Sequence, residues 1–169
     1  MLQIITIPSG TDNYIWLIKK ANRAIVIDPG EASAVNQILE QQQLQLHAIL
    51  ITHYHHDHID GISELLATHA NVLCYGPETQ TTLPFPVTVV SLEQPLTLPE
   101  ASLEFTVMPL PGHTPEHIGY YGHGVLFCGD TLFAGGCGRV LGGTIEELYA
   151  SLQRIKALPP ETLIYCAHE

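Results

Sequence analysis

The run Ala48-Ile49-Leu50-Ile51, followed at once by Thr52-His53-Tyr54-His55-His56-Asp57-His58, constrains this chain more than any other segment. The apolar run is too short for a helix of its own and rich in β-branching, so it predicts a buried strand over 47–52. A polar loop leaving the end of such a strand is held on a rigid scaffold, a usual place for chemistry. The loop reads His-x-His-x-Asp-His, and imidazole and carboxylate donors suit zinc, iron or manganese. In extended backbone His53 and His55 point the same way, so their nitrogens can grip one ion. Asp57 and His58 follow where the chain must turn, and they could face a second ion. His56 points to the opposite side in that extended geometry and is expected to be solvated or to support its neighbours. A solvated histidine-rich loop is the plainer reading, and it leaves the density of donors directly after a strand without a reason.

Around this segment, short apolar runs and turn residues predict strands over 2–7, 13–18, 24–28, 71–75, 87–91, 102–108, 118–121, 125–128 and 162–167. A tight turn over 19–23 joins the second and third. Helical composition covers 31–43 and 59–70, and the proline-marked stretch 77–86 reads as a loop. The clearest helix runs over 144–158. Thr144 and Glu147 make a capping box, and Ile145, Leu148, Tyr149, Leu152 and Ile155 recur at helical spacing as one stripe expected to be buried. Strands with helices interspersed predict an α/β layered domain spanning residues 1–169.

With 169 residues and 46% apolar composition, the chain is long and apolar enough to bury a substantial core. The net charge of -11 argues against a nucleic-acid partner, which needs a basic patch. No stretch approaches membrane-spanning length and no signal-peptide pattern opens the chain, so a cytoplasmic monomer is expected. Cys74, Cys128, Cys137 and Cys166 form no C-x-x-C pair and are expected to be free thiols.

Three more candidate ligands follow strands: His113 in Pro111-Gly112-His113-Thr114, Asp130 in Cys128-Gly129-Asp130-Thr131, and His168 in Cys166-Ala167-His168-Glu169. A His or Asp after a strand is ordinarily a cap or turn residue, but recurrence after successive strands favours a shared site. Glycine precedes His113 and Asp130, as suits a backbone that turns sharply. Asp28, in Val26-Ile27-Asp28-Pro29-Gly30, reads equally as a turn aspartate or as support for the site. His47, His69 and His123 sit in turn-like settings and receive no role.

Together these motifs resemble the metallo-β-lactamase superfamily. Within it, Leu126-Phe127-Cys128-Gly129-Asp130-Thr131-Leu132-Phe133 followed by Gly136-Cys137-Gly138-Arg139 is similar to the glyoxalase II (hydroxyacylglutathione hydrolase) family. The resemblance implies a four-layer αββα sandwich with a two-metal site at one edge, most simply two zinc ions, with iron or manganese as alternatives. It implies that His53, His55 and His113 bind one ion, that Asp57, His58 and His168 bind the other, and that Asp130 bridges them. Asp57 and Asp130 are then the catalytic carboxylates, Asp57 aiming the hydroxide. The implied reaction is hydrolysis of S-2-hydroxyacylglutathione thioesters such as S-lactoylglutathione, a step of methylglyoxal detoxification. His117 matches a family position with a structural role. Arg139 is expected to meet the carboxylate end of glutathione, with Leu141 beside it where the family tends to have an aromatic residue. Glu116 and Asp60 stand at usual glycine positions. The family continues with a tyrosine and a C-terminal helical domain, which is expected to be absent because the chain stops at Glu169. A mononuclear-iron persulfide dioxygenase or a catalytically weak metal-binding domain are the alternatives. The full ligand set disfavours the first.

Overall fold

A computed structural model describes residues 2–168; the side chain of Glu100 and the terminal Met1 and Glu169, the latter closing the Cys-x-His-Glu motif, lie outside the described residues. The chain opens on an antiparallel meander of β1 (Gln3–Ser9), β2 (Asn13–Lys20) and β3 (Arg23–Ile27). Lys20 pairs with Arg23, so the connection expected over 19–23 contracts to Ala21-Asn22, with Ala21 at φ 54. Helix α1 (Ala32–Gln41) carries the chain to β4 (Gln45–Leu50), parallel to β3. Two short helices, α2 (His56–Ile59) and α3 (Ile62–Thr68), lead to β5 (Leu73–Gly76) and then β6 (Thr88–Val89), both added in parallel. These strands form one sheet in the order β1-β2-β3-β4-β5-β6. Central β4 is covered on both faces, which is why its apolar residues run consecutively instead of alternating.

The second sheet contains β7 (Pro95–Leu98), β8 (Leu103–Pro109), β9 (Ile118–Gly122), β10 (Val125–Gly129) and β11 (Leu163–Cys166), in the order β11-β10-β9-β8-β7. Helix α4 (Ile145–Lys156) makes the crossover from β10 to its parallel neighbour β11. Strand β7 has no counterpart among the sequence expectations. Pro95 opens it and Pro99 follows it, and proline is tolerated there because β7 is an edge strand.

Three apolar clusters establish the layers. Ile18, Ile25, Ile27 and Leu50 of the first sheet pack against Phe105, Val107, Tyr120 and Phe127 of the second, forming the central core. On the outer face of the first sheet, Val26 and Ile49 meet Val35 and Leu39 of α1 and Ile62 and Leu65 of α3. On the outer face of the second, Leu110, Leu126 and Cys128 meet Ile155 of α4. The order is helix, sheet, sheet, helix, the expected four-layer sandwich.

Helix α4 has its capping box, with Glu147 N donating to Thr144 Oγ1 at 3.1 Å and Thr144 N donating to Glu147 Oε2 at 2.8 Å. Its buried face differs from the expected stripe: Leu148, Ser151 and Ile155 are buried, whereas Ile145 and Tyr149 are 62% and 64% exposed. Tyr149 lies about 100° around the helix from Leu148. Ser151 takes an inward position because its hydroxyl donates to Pro111 O at 2.7 Å. Among the described residues, no helix is long and apolar enough to cross a membrane, and the four cysteines are free thiols.

Candidate metal centre

Five strand ends meet at one edge of the sandwich. Asp28 follows β3, the His53–His58 segment follows β4, His113 follows β8, Asp130 follows β10 and His168 follows β11. The seven residues expected as ligands are all brought together there. His55 Nδ1 lies 3.1 Å from His53 Nε2 and 2.9 Å from His113 Nε2. His58 Nε2 and His168 Nε2 each lie 3.3 Å from Asp130 Oδ1, and they are 3.5 and 3.6 Å from Asp57 Oδ2. Asp130 stands between the two sets, with its other oxygen, Oδ2, 3.3 Å from His113 Nε2.

Hydrogen bonds behind the rings settle which nitrogens carry protons. His113 Nδ1 lies 2.6 Å from Arg139 O, and a carbonyl only accepts, so Nδ1 holds the hydrogen and Nε2 presents a lone pair. Thr52 Oγ1 donates to Asp28 Oδ2 at 2.7 Å, so it accepts from His53 Nδ1 at 3.0 Å, and His53 Nε2 is again a lone pair. Two lone pairs therefore point at His55 Nδ1, which can satisfy one at most. A cation between them removes the conflict, since nitrogens about 2.0–2.1 Å from a tetrahedral ion lie roughly 3.3 Å apart. In the other set, the buried His58 Nε2 and Asp130 Oδ1 have no aligned hydrogen-bond partner. His58 Nδ1, 3.2 Å from Asp28 Oδ2, is close to its carboxylate but also misaligned. Buried polar atoms left this way are donors suited to a cation. His53, His55 and His113 can hold one ion and Asp57, His58 and His168 another, while His53, His58 and Asp130 form a third close group that joins the two.

The electrostatics of the cluster call for positive charge. Burial works against protonation of His58, but Asp130 and Asp28 outweigh it and raise its pKa to about 10. The Asp130 carboxylate 3.3 Å away raises His168. Burial, reinforced by the charge on His58, pushes His53 well below the ordinary imidazole value. Asp57 stays below the usual carboxyl range although burial opposes it, because the Asn13 amide and His58 favour the carboxylate.

Behind the cluster, Asp28 acts as a support and not merely a turn residue. It is buried at φ 52, its Oδ1 accepts from Thr52 N at 2.8 Å, and it faces both Thr52 Oγ1 and His58. His117 is also buried. Its Nε2 accepts from Asp130 N at 3.1 Å, and its ring stacks on His53 with centroids 4.8 Å apart. Gly129, at φ 50, admits this ring: a Cβ there would lie 2.7 Å from His117 Nε2.

His56 lies apart from the cluster, but not for the reason the extended reading gives. It is the first residue of α2, its side chain is 92% exposed, and it pairs with Asp60 one turn on. His47, His69 and His123 take no part; His69 bonds Asn36 instead. The cluster opens into a cleft of about 410 Å³ lined also by Asp12, Phe133, Cys137, Arg139 and Leu141. Asp12, Asn13 and Thr52 carry no motif-like signal, and sequence reasoning passed over them. Only the pairing of β2 with the loop after β11 brings the first two to the site.

The comparisons with known proteins place the chain in a family. Residues 9–168 match the family model described as the metallo-beta-lactamase superfamily. The hydroxyacylglutathione hydrolase of Tolumonas auensis is 54% identical over the whole chain, which spans 66% of that relative's length. A solved B3 metallo-beta-lactamase, BLEG-1, superposes with a TM-score of 0.86 at 28% identity, covering 99% of this chain and 92% of that one. TTHA1623, solved in a di-iron-bound form, superposes at 0.82 with 27% identity, covering 98% and 92%. Fold, metal-competent cluster and sequence match lead to one conclusion: this chain belongs to the metallo-beta-lactamase superfamily.

Proposed function

We propose that this chain is the metal-bearing part of a dinuclear thioesterase that hydrolyses S-2-hydroxyacylglutathione, with S-lactoylglutathione as the representative substrate. One observation carries the two-ion reading: three histidines at one end and Asp57, His58 and His168 at the other each form a close donor group, and Asp130 offers a different oxygen to each. His53, His55 and His113 would hold one ion, Asp57, His58 and His168 the other, and Asp130 would bridge. Zinc suits these donors best, with iron and manganese also accepting them. The likeness to a di-iron protein at 27% identity supports a pair of ions, and the 54% identical hydroxyacylglutathione hydrolase supports the substrate.

When bound, two divalent ions lower the pKa of a shared water and polarise a carbonyl oxygen. The chain's own residues do the rest. Asp57, half-exposed at the cleft, accepts a hydrogen bond from the attacking oxygen and aims it at the thioester carbon. The C–S bond then breaks, and the thiolate leaves without a strong acid because it is a good leaving group. Arg139 and Leu141 line the same cleft, which supports their meeting the glutathione portion. Four free thiols support a reducing, cytoplasmic setting.

Elemental analysis after metal loading, paired with an S-lactoylglutathione hydrolysis assay, tests both halves. About two ions per chain with turnover is the expected result. At most one ion sinks the dinuclear reading, and two ions without turnover sink the substrate.

A further inference from the structure

Three of the proposed ligands have a group behind or beside the ring that favours their orientation. Thr52 stands behind His53, Arg139 O behind His113 and Asp28 beside His58. Asp57 and His168 lie on the rim, where their side chains are 49% and 15% exposed. They sit far apart in sequence and reach the site from α2 and from the end of β11, elements belonging to different halves of the sandwich.

One residue touches both. Asn13 Nδ2 donates to Asp57 Oδ2 at 2.8 Å and to Asp57 O at 3.4 Å. The main chain of Asn13 forms an antiparallel bridge with His168, and the next amide, Tyr14 N, donates to Ala167 O at 2.7 Å. Beside it, Asp12 Oδ1 lies 3.6 Å from His168 Nδ1, the ring nitrogen turned away from Asp130. Metal-bound histidines ordinarily have such a carboxylate behind them, and ligating carboxylates are themselves hydrogen-bonded. An amide donor suits Asp57 because it adds no charge and leaves the carboxylate's other lone pairs free for an ion.

We propose that Asn13 is a positioning residue for the Asp57, His58 and His168 set, taken as the second to fill after the three-histidine set of His53, His55 and His113: its side chain sets Asp57 while its backbone sets His168. The start of β2 therefore serves the site through Asn13, while Ile15, Leu17 and Ile18 of the same strand serve the core. This inference rests on the two-ion reading.

The test is stepwise metal binding. Metal-free wild type, Asn13→Ala and Asn13→Asp are titrated with zinc against a chromophoric chelator. Asn13→Asp keeps the shape and the main-chain bridge but removes the donor and sets a like charge against Asp57. Both variants should bind the second equivalent about 10–100-fold more weakly and leave the first within about threefold. With cobalt in place of zinc, the visible absorption added by the second equivalent should change, and that of the first should not. An unchanged second affinity in both variants overturns the proposal. A parallel fall in both equivalents, or loss of the fold in both variants by far-ultraviolet circular dichroism, marks Asn13 as structural and overturns it too. Wild type that takes up one ion overturns the two-ion reading itself, and the inference falls with it.

Discussion

The carboxylate of Asp130 is buried, which by itself would favour its neutral form, yet the close imidazoles of His168 and His58 and the charge on His58 hold it far below the ordinary carboxyl range. A carboxylate under that demand cannot be replaced by a neutral amide without loss, because the amide leaves the facing imidazoles uncompensated. Asp130→Asn should lower turnover by at least about a hundredfold, beyond the usual effect of a supporting residue, and it should weaken metal uptake. His56→Ala, which removes an exposed side chain paired only with Asp60, should stay within about twofold on both counts. Steady-state kinetics and metal analysis on the two variants check this, and equal losses would dissolve the distinction between them. Gly138 marks the same residue from behind: a Cβ there would lie 1.9 Å from Asp130 O, so the glycine-rich segment presses its backbone onto the proposed bridging residue.

At the scale of elements, α4 holds the His113 loop in place. Ser151 donates to Pro111 O, and Gly112, at φ 134, lets the loop lie so close that a Cβ would meet Leu148 Cα at 2.4 Å. Two substitutions separate the stability of this helix from its grip on the loop. Thr144→Ala removes the cap and should cost about 1 kcal/mol. That is a drop of roughly 2–4 °C in Tm for a chain of this size, with metal stoichiometry unchanged. Gly112→Ala should lower Tm further and also weaken the first metal equivalent, since relieving the clash moves the loop that carries His113. Thermal melts with parallel zinc titrations decide the matter. If Gly112→Ala binds metal like wild type, α4 supports the fold but not the site.

For the whole molecule, the cluster makes metal-free stability depend on pH in a definite direction. His58, raised to about 10, and His168, also raised, contribute stability that is complete below the ordinary imidazole value of 6.5 and fades as pH climbs toward 10. Burial lowers His53 and His55, and takes His117 down to about 3. The fold refuses protons that the unfolded chain accepts, so these three subtract stability as pH falls below 6.5. The metal-free protein should therefore be most stable near pH 6.5, declining on both sides, and melting curves in chelator from about pH 5 to about pH 10 should trace that maximum. A flat profile through the alkaline arm would show that His58 is not held protonated between Asp28 and Asp130.

The sequence by itself determined the features that depend on near neighbours. The consecutive apolar residues of β4 announce a strand covered on both faces, and Thr144 with Glu147 announces the start of α4. Gly112 and Gly129 sit where the backbone takes positive φ, and the histidine-rich segment announces a place for metal. Other features depended on long-range packing. Residues 56–59 wind into a helix that turns His56 to solvent and His58 inward, although the short run has no periodicity to reveal it. Pro95 within β7 and Pro99 after it argue against a strand until its place at a sheet edge makes them harmless. The face of α4 was decided by Ser151 finding Pro111, which leaves Ile145 and Tyr149 outside. Asn13, Asp12, Thr52 and the double duty of Asp28 follow from strand ends meeting across two sheets. Their significance is a matter of distance in space, and local sequence does not encode it.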